Sequence, residues 1–415
     1  MNAPDALPLL PEDSGDAVLI GRLWDPETRG PRPVLVRDDD LVDLFDHAHT
    51  VSALLNSADP LAVLEQALAA GPRRWKLADV VAGAEESGRS RHGSESSAGS
   101  YSGRDPAGPR LLAPVDLQAV KACGVTFVDS MIERVIEERC TGDLTLADQM
   151  RTQVLQAIGG SLAGVRPGSA EAARVKEVLV REGFWSQYLE VGIGPDPEVF
   201  TKAPVLAAVG SGERIGIPAF SSWNNPEPEL ALVVDSLGQV RGCTLGNDVN
   251  LRDVEGRSAL LLGMAKDNTG SAALGPFIRL FDDAYTLDDA RSETISLTVR
   301  GDDGYTLTGT NSVRRLSRPF EELVGAAYGS HHQYPDGFVL YTGTLFAPSE
   351  DRDSPGMGFT HKAGDVVHIS SARLGTLTNM VAPTEDLDPW TFGIGSLMDY
   401  VMANATSNAG LAGGR

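Results

Sequence analysis

The chain has 415 residues, 42% hydrophobic and 22% charged, enough apolar mass for one large core or two smaller ones without staples. A net charge of −22 and a pI near 4.7 exclude an extended basic groove, so neither nucleic acid nor anionic lipid is an expected partner. Three cysteines without C-x-x-C spacing (Cys123, Cys140, Cys243), no leader-like N-terminus and no membrane-length apolar run predict a cytoplasmic protein that does not enter membranes.

From Ala17 to about Val81 the pattern predicts a small α/β unit: strands over Ile20–Trp24 and Pro33–Val36, a turn through Asp38, Asp39 and Asp40, then helices. One helix is well punctuated, with Asp59 as N-cap, Pro60 at the first position and Gly71 as the stop. Residues 83–108 are mostly Gly, Ser, Glu and Arg, a composition that buries too little apolar surface to offset ordering entropy. Residues 1–82 are thus expected as a small N-terminal α/β domain and 83–110 as a flexible loop or linker. Residues 111–415 form the main domain. Within it, helical spacing recurs over Ser130–Glu138 and Glu171–Gly183, with Met131, Ile132, Val135 and Ile136 as core positions. From Ile215 onward short β-rich segments dominate, including Ile295–Val299, Tyr305–Thr308, Val366–Ser370 and Leu374–Val381, separated by turns such as Asp302-Asp303-Gly304. The expected class is α+β with a β-rich core. Gly192-Ile193-Gly194 and Gly210-Ser211-Gly212 do not complete a dinucleotide-binding loop.

The most informative stretch is Pro226-Glu227-Pro228-Glu229, which leads into the apolar run Leu230–Val234. On a strand, residues two apart face one side about 7 Å apart, so Glu227 and Glu229 can converge. The two prolines fit a strand start or edge. Asp248 follows Glu229 by 19 residues, where a neighbouring strand can bring it alongside, and Lys266 follows Asp248 by 18. Carboxylates that close repel by about 4 kcal/mol per pair at 4 Å and an effective dielectric of ~20, so three of them call for a cation. Oxygen-only ligands select a hard ion, Mg²⁺ first, with Mn²⁺ or Ca²⁺ as substitutes. His331 and His332 are adjacent, so on a strand they point oppositely and cannot share an ion.

These residues resemble the fumarylacetoacetate hydrolase superfamily, whose members hold a divalent cation on an E-x-E pair plus an Asp. Pro197–Lys202 resembles the family strand before the ligands. Ala265-Lys266-Asp267-Asn268 with Leu274-Gly275-Pro276 resembles its lysine segment, and Thr342-Gly343-Thr344, Lys362–Val367 and Leu374–Asn379 resemble its closing strands. Many carbon–carbon hydrolases of the superfamily carry a histidine where Ser130 stands, so hydrolysis of that kind is the alternative rather than the first expectation. Val125–Glu138, Trp185–Glu190, Trp223–Glu229, Gly246–Leu262 and His332–Gly337 are similar to the 2-keto-3-deoxypentonate dehydratases of the superfamily.

The resemblance implies a Mg²⁺-dependent dehydratase that converts a 2-keto-3-deoxypentonate to 2,5-dioxopentanoate in pentose breakdown. It implies Glu227, Glu229 and Asp248 as ligands, Glu198 as the proton-transferring group, and Lys266 as a charge beside the developing enolate or as a Schiff-base amine. Ser130 and Thr344 are implied contacts for the 2-keto sugar acid, and a homodimer or homotetramer is the implied assembly. A protein that keeps the fold and ion for binding alone is a further alternative.

Overall fold

The computed structural model describes residues 8–82, 108–127, 131, 152–153, 156, 165–344, 350–353 and 358–405. Its strands are β1 (Leu19–Asp25), β2 (Gly30–Arg37), β3 (Asp40–Asp43), β4 (Arg74–Lys76), β5 (Arg110–Leu112), β6 (Ala119–Gly124), β7 (Glu198–Ala203), β8 (Arg214–Ile217) and β9 (Asn224–Asn225). They continue with β10 (Pro228–Val234), β11 (Val240–Asp248), β12 (Asn250–Leu251), β13 (Ala272–Leu280), β14 (Thr294–Arg300), β15 (Thr306–Ser312), β16 (Phe338–Tyr341), β17 (Val366–Ser371) and β18 (Gly375–Pro383).

Among the described residues, one sheet runs in the order β4-β3-β2-β1-β13-β11-β10-β16-β6-β7, with β5 paired to β1 off that path. A second runs β15-β14-β17-β18-β8, and β9 pairs with β12 alone. Pairing is antiparallel between β10 and β11 and between β10 and β16, and parallel between β16 and β6. The N-terminal strands are continuous with the rest, because β1 pairs with β13 in antiparallel register from Leu19↔Arg279.

The local sequence explains these elements. Asp59 caps the helix Pro60–Ala69 by accepting from the Ala62 amide, and Gly71 follows with φ 66°, where a side chain is disfavoured. Ser169 caps the helix Ala170–Arg181 in the same way through the Ala172 amide. Between β2 and β3 the chain turns at Asp38 with φ 54°, which a short polar residue tolerates. The strands expected at Ile20–Trp24, Pro33–Val36, Ile295–Val299, Val366–Ser370 and Leu374–Val381 fall within observed strands that extend up to three residues further at an end, except at Leu374, which lies just outside β18. Ser130, most of the helix expected over 130–138, and residues 83–107 lie outside the described residues.

The run Leu230–Val234 is apolar throughout because β10 is covered on both faces. Leu230, Leu232 and Val234 pack with Ile295, Leu297, Val299, Val367 and Ile369 of the second sheet. Ala231 and Val233 face the other way, onto a core shared with Val51, Leu54 and Leu64 of the N-terminal helices and with Val339 and Tyr341. Alternation puts Glu229 on this second face, at the open end of the strand.

That end is tightly packed. Gly246 pairs with Glu229 across β10 and β11, and a Cβ at Gly246 would stand 2.2 Å from Tyr341 Cε1. Tyr341 is fully buried and donates to the Ala273 carbonyl at 2.7 Å, so its ring has little room to retreat. Gly246→Ala is expected to destabilise the fold by about 1–3 kcal/mol, the usual range for overpacking. Denaturant unfolding measures this, and an unchanged midpoint would show that the ring moves freely.

Candidate metal centre

The site is built where β10 begins and β11 ends. Pro228 opens β10, where its missing N–H costs no ladder bond, and its carbonyl accepts from Asn311 Nδ2 at 3.0 Å and Thr344 Oγ1 at 3.1 Å. Just before it, Glu227 is held by its backbone: its carbonyl accepts from the Asp248 amide at 3.0 Å, and its own amide donates to Asn247 Oδ1 at 3.0 Å. Antiparallel pairing of the two strand ends therefore brings Asp248 beside the E-x-E pair. Glu227, Glu229 and Asp248 each offer one carboxylate oxygen, all within 4.8 Å of one another, and all three side chains are buried.

Neighbours fix the carboxylates from outside. The Gly343 amide donates to Glu229 Oε2 at 2.6 Å. Gly343 has φ 97°, and a Cβ there would collide with Thr126 Oγ1, so this approach of backbone to carboxylate needs glycine. Asn250 Nδ2 donates to Glu227 Oε1 at 3.1 Å and to Glu255 Oε2 at 2.6 Å.

Two buried lysines complete the cluster. Lys266, at the end of the short helix Leu262–Lys266, donates from Nζ to Glu227 Oε2 and to Asp248 Oδ2, the latter at 3.1 Å, and its Nζ lies 5.7 Å from the centre of the Phe200 ring. Lys202 of β7 is fully buried; its Nζ donates to the carbonyls of Val249 at 2.9 Å and Lys266, and stands 2.8 Å from Asp248 Oδ1 as an ion pair. Asp248 Oδ1 meets Lys202 as this ion pair and has no other polar partner among the described residues.

The electrostatics follow. Burial, then the Asp248 and Glu227 charges, push Glu229 well above the usual carboxylate range. Burial pulls the Lys266 ammonium down, but Asp248, Glu227 and Glu255 together outweigh it and hold its pKa above the ordinary lysine value. For Lys202 burial dominates the attraction of Asp248, and its pKa is lowered. Two ammonium groups offset two of the three carboxylates, leaving one buried negative charge unmatched. An all-oxygen donor set with an unmatched charge fits a hard divalent cation.

Of the residues picked out from sequence, Glu227, Glu229, Asp248 and Lys266 meet here. Glu198 begins β7, half-buried, with its carboxylate lying over Gly124 of β6, where a Cβ would meet Glu198 Oε2. Its charge and that of Glu229 both bear on the buried Cys123 thiol, whose pKa burial raises first and these two carboxylates raise further. Alternation along β7 puts Glu198, Phe200 and Lys202 on one side. Thr344 is adjacent to the site, with its hydroxyl donated to the Pro228 carbonyl. Ser130 lies outside the described residues. His331 and His332 are exposed residues of a turn rather than of a strand, and His332 stacks edge-on against Tyr334.

Lys202, Asn247, Asn250 and the Gly343 amide are the parts that sequence reading did not single out. A lysine two and four residues along a strand from an aromatic and a glutamate is a faint sign of a shared face. Amides on both sides of Asp248 in an otherwise apolar strand are another. The Gly343 contact leaves no sequence signal, since it depends on the non-local pairing of β10 and β16.

Comparison with known proteins agrees with this geometry. A family model described as fumarylacetoacetate (FAA) hydrolase C-terminal matches residues 171–382. A probable 2-keto-3-deoxyxylonate dehydratase of Haloferax volcanii is 30% identical over 266 residues, covering 64% of this chain and 86% of that protein. The chain belongs to the fumarylacetoacetate hydrolase family. A 2-dehydro-3-deoxy-D-arabinonate dehydratase of Saccharolobus solfataricus is 35% identical over 188 residues, 45% of this chain and 58% of that one. Among solved structures, a hexagonal crystal form of 2-keto-3-deoxyarabinonate dehydratase superposes with a TM-score of 0.56 at 22% identity, over 88% of this chain and 98% of that one. A 2-keto-3-deoxy-D-arabinonate dehydratase complexed with magnesium and 2,5-dioxopentanoate gives a TM-score of 0.53 at 21% identity, over 88% and 99% of the two chains. These likenesses place the β-rich fold in the fumarylacetoacetate hydrolase family.

An ion that binds only the folded state raises stability by about 2.7 kcal/mol at a hundredfold excess over its dissociation constant. Adding Mg²⁺ is therefore expected to raise the thermal midpoint of the wild-type protein, and Glu229→Gln is expected to abolish most of the rise. An equal rise in both would remove Glu229 from the ligand set.

Proposed function

We propose that this protein is a Mg²⁺-dependent hydro-lyase that converts a 2-keto-3-deoxypentonate to 2,5-dioxopentanoate by loss of water and tautomerisation. The observation that carries this reading is the buried Glu227, Glu229 and Asp248 cluster with Lys266 set directly against two of its carboxylates. Two relatives from the family, at 30% and 35% identity, bear dehydratase names for sugar acids of this class, which supports the substrate.

When bound, the divalent ion supplies the Lewis acidity that makes a proton next to a keto group removable. Glu198 takes the C3 proton and delivers it to the departing C4 hydroxyl, so one carboxylate serves both transfers and regenerates itself. Its place beside Gly124, where no side chain competes for the space, leaves it room to do so. Lys266 holds a positive charge against the negative charge that builds on the keto oxygen, and Phe200 under its ammonium keeps that charge away from bulk water. Thr344 and Ser130 serve as hydroxyl contacts for the sugar acid. Among the described residues no helix is long and apolar enough to cross a membrane. A cytoplasmic homodimer or homotetramer is the setting that goes with this reading.

Three measurements test it. In a Mg²⁺-supplemented screen of 2-keto-3-deoxypentonates, coupled oxidation of an aldehyde product is expected; carboxylic acid pairs from a diketo acid instead would favour a carbon–carbon hydrolase. Glu198→Gln is expected to lower kcat by about 10²–10⁴ while Mg²⁺ still binds. Borohydride added during turnover should leave Lys266 unmodified by mass spectrometry, and a reduced adduct there would replace its electrostatic role with a covalent one.

A further inference from the structure

Lys202 is a fully buried lysine whose ammonium faces three protein groups. Two are backbone carbonyls from different elements: Val249, one residue past Asp248, and Lys266, at the end of its helix. The third is the Asp248 carboxylate, 2.8 Å away. The Lys266 carbonyl is one of the acceptors that a helix C-terminus leaves open, and Ser271 Oγ shares it at 2.8 Å. One side chain thus ties β7 to the segment after β11 and to the helix that carries Lys266.

We propose that Lys202 is a positioning residue that fixes the Asp248 carboxylate for the ion and Lys266 for the substrate, with its own charge serving as the anchor. This rests on the reading of the acidic cluster as a divalent-ion site. Two of its donors go to backbone carbonyls and its charge faces Asp248, so its role is to hold protein groups in place. Its effect on the ion has a sign that separates mechanisms. A positive charge next to an incoming cation repels it, so charge alone predicts tighter ion binding once Lys202 is neutralised. Orientation predicts the reverse, because an untethered Asp248 loses its fixed geometry, and loss of an outer partner of a metal ligand typically costs about 10–100-fold in metal affinity.

The test uses the full chain, with Mn²⁺ as an electron paramagnetic resonance probe and Mg²⁺ followed by calorimetry, in wild type, Lys202→Met and Lys202→Gln. Methionine keeps the length and burial and removes every donor, whereas glutamine restores two donors without charge. The expected result is Mn²⁺ and Mg²⁺ binding weakened about 10–100-fold in Lys202→Met, partly recovered in Lys202→Gln, with a broadened Mn²⁺ spectrum in the methionine variant. Unchanged or tighter ion binding in Lys202→Met, whether or not its thermal midpoint falls, overturns the proposal. If Lys202→Met does not fold, Lys202→Gln decides alone: weaker binding than wild type supports the role, and equal or tighter binding overturns it. Wild type that binds neither ion overturns the metal reading together with this role, whereas wild type that binds while the variants match it overturns the role of Lys202 alone.

Discussion

Three carboxylates held within 4.8 Å of one another and shut away from water are the constraint to which the rest of the structure answers. Desolvation and mutual repulsion both act against such a cluster. Neither is relieved locally: the strand that carries Glu229 is apolar on both faces beyond its first residues. The compensation comes from elsewhere in the chain, as an amide from Gly343, a side-chain amide from Asn250, and ammonium groups from Lys202 and Lys266. Each is positioned by a separate element: β7 for Lys202, β12 for Asn250, the helix Leu262–Lys266 for Lys266 and the segment after β16 for Gly343.

The polar cluster sits at the margin of the sheet for a physical reason. In the middle of β10 every position meets another packed layer, and a carboxylate there would have neither solvent nor room for donors. At the strand end the pleat still aims Glu229 inward, while the segment after β16 brings the Gly343 backbone amide to it. Pro228 fits this junction, since its ring suits the first position of a strand and its free carbonyl ties down Asn311 and Thr344.

Much of this was legible in the sequence, and what was legible was local. The E-x-E spacing, the proline punctuation and the apolar run after Glu229 specify a strand with two acids on one face. Asp248 and Lys266 were then recoverable from their spacing and their likeness to the family. The helix start at Asp59 follows from capping chemistry alone. Lys202 was not legible, because a lysine in a half-polar strand is usually a solvated one, and only the crossing of β7 past the end of β11 buries it. The same holds for Gly343, whose left-handed backbone acquires meaning only once Thr126 lies against it. The histidine pair was read as unable to share an ion if it lay on a strand; the backbone around it is a turn, which Gly329 and His332 close through reciprocal hydrogen bonds.

The pairing of β16 with β10 also governs the order in which the centre can come into being. During synthesis the ribosome releases the acids of β10 and β11 well ahead of the glycine amide that steadies Glu229, and non-local pairings of this type close late. A nascent chain halted before β16 carries the whole ligand set without the strand that braces it. The full bracing of Glu229 is thus a property of the finished sheet.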